Sequence, residues 1–146
     1  MSSGPSLKIR ALGYLARREH SRLELEKKLS PYAPTPEDLS CVLDSLEQQD
    51  FLSAGRVVEQ VIHARRSKFG SQRIVNELQQ KGIDANLIAT ALPHLKETEL
   101  ETARTVWLKK FGTKPVNAKE RAKQIRFLMS RGFTSEIIRQ VLQSRD

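Results

Sequence analysis

The feature that most narrows the possible folds is a self-similarity along the chain. Lys68-Phe69-Gly70 returns 42 residues later as Lys110-Phe111-Gly112, and Leu78-x3-Gly82-Ile83 returns 50 residues later as Leu128-x3-Gly132-Phe133. The difference places an insertion of 8 residues around Thr113–Glu120. Ser21-x3-Leu25-x3-Leu29 matches Gly70-x3-Ile74-x3-Leu78 in the same way. A repeat of this length signals a chain built from similar small modules, none able to bury its apolar face alone.

Apolar spacing defines the module. Leu7, Ala11, Leu12 and Leu15 recur at helical intervals, as do Leu39, Val42, Leu43 and Leu46. Val58, Val61, Ile62 and Phe69 form another stripe, followed by Ile74 with Leu78 and by Leu87, Ile88, Ala91 and Leu92. Leu100, Ala103, Trp107 and Phe111 line a longer segment. Ala118, Ala122, Ile125 and Met129 are predicted to line the next helix, and Ile137, Ile138, Val141 and Leu142 the last. No run alternates with a period of two, so no strand is predicted. Ser21, Thr35, Asp84 and Thr134 are the predicted N-caps, with Pro36 at a first helical position. Asn117 with Glu120 has the spacing of a reciprocal capping box. Gly70, Gly82, Gly112 and Gly132 are predicted helix stops, Gly70 through a positive φ, and Pro93 is expected to end its helix.

Helices of about ten residues are marginal alone, so each stripe must be covered by its neighbours. The predicted fold class is therefore all-α: three tandem three-helix repeats over residues 7–52, 53–94 and 95–145, stacked into an elongated, curved, solenoid-like body. An apolar fraction of 38% with 29% charged residues suits several thin cores better than one large one.

Charge then bears on partners. The net charge is +8, which draws the chain to polyanions. Residues 1–52 carry 7 basic and 8 acidic side chains, net −1; residues 53–94 carry 6 and 3, net +3; residues 95–146 carry 12 and 6, net +6. Lys119, Lys123 and Arg126 share one helix edge at i, i+4 and i+7, with Arg131 ending that helix and Lys109, Lys110 and Lys114 just before it. Arg66 and Lys68 precede Gly70, and Arg73 follows it. These ten side chains form the candidate basic face for a phosphate backbone or an acidic protein groove. The plainer reading of several of them is that cations near helix C-termini offset the dipole. Arg65 falls inside an apolar stripe and is expected to pack its stem and reach an acceptor with its head. Trp107, Phe111 and Phe69 lie on core stripes, where packing rather than base stacking is expected; Phe127 lies outside them.

No catalytic constellation stands out. His20, His63 and His94 are scattered, with no second ligand at helical spacing. There is no Gly-rich phosphate loop, no H-E-x-x-H and no G-x-S-x-G. Neither a metal nor a cofactor is expected. A single cysteine, Cys41, excludes an internal disulfide and points to a reducing cytoplasm. The first residues lack the apolar core of a signal peptide, and no run approaches the roughly 20 apolar residues that cross a bilayer.

Three motifs in order now bring a family into view. Arg66-x3-Gly70-Ser71-x-Arg73-Ile74-x2-Glu77-Leu78-x2-Lys81-Gly82-Ile83 resembles the central signature of RecX proteins. Phe127-Leu128-x2-Arg131-Gly132-Phe133-x4-Ile138 resembles their C-terminal signature, and His20-Ser21-Arg22-x-Glu24-Leu25-x2-Lys28-Leu29 their first-repeat motif. The resemblance spans roughly residues 7–142. One departure is the acidic-aromatic motif Leu-Asp-Asp-x-Arg-Phe-Ala, for which this chain has Leu52-Ser53-Ala54-Gly55-Arg56-Val57-Val58 and keeps only Leu52 and Arg56. That change bears on how the fourth helix is capped. The resemblance implies a fold of three tandem three-helix repeats and a cytoplasmic regulator of homologous recombination. Such a protein lies in the groove of the RecA–DNA filament and damps RecA activity; the chain is further expected to be a monomer and to contact single- and double-stranded DNA without sequence preference. The competing expectation from charge alone is a non-specific DNA-binding protein made of helix-turn-helix-like modules.

Overall fold

The computed structural model describes residues 6–143. Among them there are nine α-helices, one short 3₁₀ turn at Ser30–Tyr32 and no strand. In chain order the helices are α1 Leu7–Arg17, α2 Arg22–Leu29, α3 Pro36–Gln48, α4 Ala54–Arg65, α5 Ser71–Gln80, α6 Ala85–Glu97, α7 Glu99–Lys110, α8 Ala118–Ser130 and α9 Ser135–Gln143. The described residues divide into two compact units. One takes in those up to Gln60 with Gln80–Ile83; the other takes in Val61–Gln79 and those from Asp84 onward.

In the first unit α1, α2 and α3 pack against one another. Ala11, Leu25, Leu29, Leu39, Leu43, Leu46 and Leu52 form its core, so each helix contributes its predicted stripe. Local chemistry sets the helix starts. The Ser21 hydroxyl accepts from the Glu24 amide at 3.1 Å, and the Glu24 carboxylate accepts from the Ser21 amide at 3.0 Å, closing a capping box. Thr35 accepts from the Asp38 amide at 3.1 Å, ahead of Pro36. Ser53, where the related motif has an acid, accepts from the Arg56 amide at 3.2 Å and caps α4. Arg56 itself reaches Glu19 at 2.9 Å and Asp50 at 3.3 Å.

Ion pairs hold the surface of this unit. Arg22 bonds both Asp44 and Glu47 of α3. Partial burial pushes the Glu24 carboxyl up, but hydrogen bonds from Arg18 and the Ser21 amide, with Lys81 nearby, outweigh it and hold its pKa at about 2. His20 is buried; its Nδ1 faces the Arg18 carbonyl at 3.0 Å and its Nε2 the Lys28 ammonium at 2.9 Å. Lys28 has no acceptor site, so Nε2 accepts from it and the proton sits on Nδ1. Burial, then the Arg18 and Lys28 charges, lower the His20 pKa.

In the second unit α7 packs against α6, α8 and α9, and α8 against α9. Ala103, Trp107, Leu128, Phe133, Ile138, Val141 and Leu142 form the core. Asp84 caps α6 through the Asn86 amide at 2.7 Å, and Thr134 caps α9 through the Ile137 amide at 3.4 Å.

Four local expectations need correction. Pro93 does not end its helix: α6 runs through it to Glu97. Ala89, whose carbonyl loses the missing N–H, lies on the exposed side, where solvent can replace the bond. Gly70 has no positive φ, unlike Gly82, Gly112 and Gly132. Its need is space, since a Cβ there would meet the Gly132 carbonyl oxygen at 2.4 Å. The Asn117–Glu120 box is not reciprocal: Asn117 accepts from the Glu120 amide at 2.8 Å, but Glu120 accepts from Val116, not from Asn117.

The fourth correction is the buried edge of α8, which is rotated from the predicted stripe. Met129 is 56% exposed, while Gln124 and Leu128 are buried. The Trp107 indole N–H supplies the reason: buried in this core, it needs an acceptor, and Gln124 Oε1 provides it at 2.8 Å. The Gln124 amide in turn donates to the Thr113 carbonyl at 3.0 Å. A polar residue therefore occupies an inward position that an apolar stripe does not reveal.

Candidate functional site

All ten cations of the candidate basic face belong to the second unit. Two glycines position many of them. The Gly70 amide donates to the Arg131 carbonyl at 2.8 Å and the Gln72 amide to the Gly132 carbonyl at 3.1 Å. This backbone clasp sets the start of α5 against the end of α8. Beside it the buried Glu99 carboxylate, at the start of α7, accepts from the Ser71 amide at 2.7 Å and the Ser71 hydroxyl at 2.9 Å. Three segments far apart in sequence are thereby tied at one point.

The clasp brings cations and aromatic rings together. The Arg73 guanidinium lies 4.0 Å from the centre of the Phe69 ring and donates to the Ser130 carbonyl at 3.2 Å. Arg131 lies 5.7 Å from the Phe69 ring and 5.1 Å from the Phe127 ring, and Lys110 5.4 Å from Phe127. Phe127 meets Phe111 edge-on, with ring centres 5.4 Å apart. Together with Ser67, Thr105 and Val106, residues Lys68, Lys109, Lys110, Phe127 and Arg131 line a cavity of about 320 Å³ that contains no carboxylate.

Other members of the predicted set lie elsewhere. Lys119, Lys123 and Arg126 are exposed on α8, away from its buried Gln124 and Leu128 edge. Arg66 donates to the Thr98 hydroxyl at 3.1 Å. Lys114 turns inward: its ammonium donates to the Val141 carbonyl of α9 and sits 4.8 Å from the Trp107 ring. Partial burial, with Arg104 nearby, lowers its pKa. Among the described residues none of these ten cations is in an ion pair, whereas Arg18, Arg22, Arg56 and Lys81 of the first unit all are. Arg65 reaches the expected acceptor, Glu77 at 3.1 Å, but its side chain is exposed and not packed into the stripe.

Sequence reasoning missed Ser67, Thr105 and Val106 in the cleft and Glu99 at the clasp. A signal for the clasp does exist: a glycine at the head of α5 that needs no positive φ marks a close backbone approach. Of the four aromatics, Trp107 is buried as predicted, and Phe69, Phe111 and Phe127 are half-buried.

Helix order and packing define the class first: an all-α protein assembled from tandem three-helix domains, with no helix among its described residues long and apolar enough to cross a membrane. The family profile described as RecX, second three-helix domain, matches residues 55–92, and the one described as RecX, third three-helix domain, matches residues 97–142. A protein of Leptothrix cholodnii named regulatory protein RecX is 52% identical over 141 residues, covering 97% of this chain and 90% of its own. Namesakes from Herbaspirillum seropedicae and Ralstonia nicotianae are 47% and 40% identical, over 95% and 97% of this chain and 90% and 89% of theirs. The crystal structure of RecX from Lactobacillus salivarius superposes with a TM-score of 0.80 at 22% identity, covering 94% of this chain and 92% of that one, a likeness of fold. The chain belongs to the RecX family of regulatory proteins.

Proposed function

We propose that this protein acts in the cytoplasm as a regulator of the RecA–DNA filament, binding in the filament groove as a monomer and restraining filament growth and ATP turnover. The observation that carries this reading is the set of cations of the second unit that are in no ion pair among the described residues: Lys68, Lys109, Lys110 and Arg131 around the cleft and Lys119, Lys123 and Arg126 exposed on α8. Cations without intramolecular carboxylates are available to acidic protein surface and to exposed phosphates. A division into three repeats at residues 7–52, 53–94 and 95–145 goes with the reading, because successive modules can contact successive filament subunits. A protein bridging subunits opposes both the addition of new ones and the movements that turnover requires. The reading calls for no catalytic group and no cofactor.

The test is a titration of RecA with ATP and single-stranded DNA. The ATPase rate should fall at substoichiometric protein, and an unchanged rate across a wide titration would refute the reading. Lys119→Glu, Lys123→Glu and Arg126→Glu combined should weaken DNA binding and inhibition with helicity intact. Full activity in that triple variant would mean another face makes the contact. Plain non-specific DNA binding is the second reading, favoured by the +8 charge. It is distinguished by tight duplex binding without RecA that weakens about 10³–10⁵-fold between 50 and 200 mM salt.

A further inference from the structure

We infer that the cleft beside Phe127 seats one unstacked nucleotide of single-stranded DNA, its base against Phe127 and Val106 and its flanking phosphates on Lys68, Lys109, Lys110 and Arg131. This names a ligand for the cationic face and rests on the reading that the face meets the nucleic acid of the filament.

Size is the first argument. A cavity of about 320 Å³ stands at the lower end of the range of about 300–1,000 Å³ in which small ligands are held. It is large enough for a base with its sugar. Charge is the second. Four cations from the α4–α5 link, α7 and the end of α8 surround the opening, and the lining holds no carboxylate to repel a phosphate. None of the four is in an ion pair among the described residues, so phosphates would displace no internal carboxylate.

The floor is the third argument. It joins an aromatic ring to a guanidinium whose centre lies 5.1 Å from the ring centroid. Rings and guanidinium planes are the surfaces on which unpaired bases pack, without much regard to sequence. A duplex keeps its bases stacked and offers the cleft phosphates alone. A peptide of aspartates and glutamates alone would satisfy the lysines but has no ring to set against the floor.

The experiment needs no RecA. Fluorescence anisotropy compares an oligo-dT strand, the same strand with abasic positions, and a duplex of equal length, each with the wild-type protein. The intact strand should bind at least about fivefold more tightly than the abasic one, the lower end of what base–aromatic contact contributes. Phe127→Leu, which keeps an apolar side chain against the core, should bring the intact strand to the abasic level and leave the abasic affinity unchanged. Equal affinity for intact and abasic strands in the wild type would overturn the proposal, leaving a phosphate-only surface. Polyglutamate competing as well as oligo-dT would overturn it in favour of an acidic protein partner. A failed ATPase titration would leave this result untouched, and a failed abasic comparison would leave the ATPase result untouched.

Discussion

Replacing Gly132 with alanine tests whether the α5–α8 clasp organises the second unit. Two costs follow from the geometry. Gly132 has φ +88°, a left-handed conformation that charges an L-residue roughly 1–2 kcal/mol. Its new Cβ would lie 2.3 Å from the Arg73 Cβ and 2.7 Å from the Arg73 amide nitrogen. Backbone cannot swing aside as a side-chain tip can, so the head of α5 must withdraw from the end of α8. Withdrawal strains the Gly70–Arg131 and Gln72–Gly132 hydrogen bonds, of 2.8 and 3.1 Å, each worth about 0.5–1.5 kcal/mol net. The expected destabilisation is about 2–5 kcal/mol.

Gly112→Ala is the control. It has φ +74° but its Cβ would meet nothing closer than the Leu108 carbonyl oxygen at 3.4 Å, so it should cost only the strain, about 1–2 kcal/mol. Gly70→Ala carries the clash without the strain and should fall between them. The assay is urea unfolding followed by the fluorescence of Trp107, the one tryptophan in the chain, which sits in the core of this unit. With a slope of about 2 kcal/mol per molar urea, Gly132→Ala should lower the midpoint by about 1–2.5 M. A Gly132→Ala midpoint indistinguishable from that of Gly112→Ala would refute the clasp as a tight contact.

Two further outcomes follow from the buried and paired polar groups. The folded pKa of Glu24, about 2, lies below its ordinary value of 4.5, so the unfolded chain takes up the proton more readily. Its contribution is therefore present at neutral pH and lost as pH falls from about 4.5 to about 2. Glu24→Gln should cost about 1 kcal/mol at pH 7, allowing for solvent screening, and flatten that part of the acid titration followed by circular dichroism; an unchanged acid limb would speak against the Arg18–Glu24–Lys81 cluster. Gln124→Leu removes the acceptor of the Trp107 N–H inside the core and should cost about 1–3 kcal/mol, with an altered Trp107 emission. Unaltered stability in that variant would mean the indole finds another partner.

The predicted stripes of α1 to α3, the caps at Ser21, Thr35, Asp84 and Thr134 and the helix stops at Gly82, Gly112 and Gly132 were readable from the chain, whereas a positive φ was expected at Gly70 and occurs at the other three. Each depends on interactions within a few residues, governed by helical period and by the backbone donors left free at helix ends. The candidate cations were readable as residues but not as a site. Lys114 looks like its neighbours in sequence, yet it turns inward to Val141 while Lys109 and Lys110 line the cleft.

Tertiary packing decided the rest. Gln124 is buried because Trp107, 17 residues earlier, needs an acceptor. Lys68 and Arg131 share a cleft because Gly70 and Gly132, neither bearing a Cβ, let two backbones meet. Period and capping act along one helix and are written locally. Which side chains share a surface depends on how closely separate helices approach, and that distance is set by atoms more than sixty residues apart in the chain.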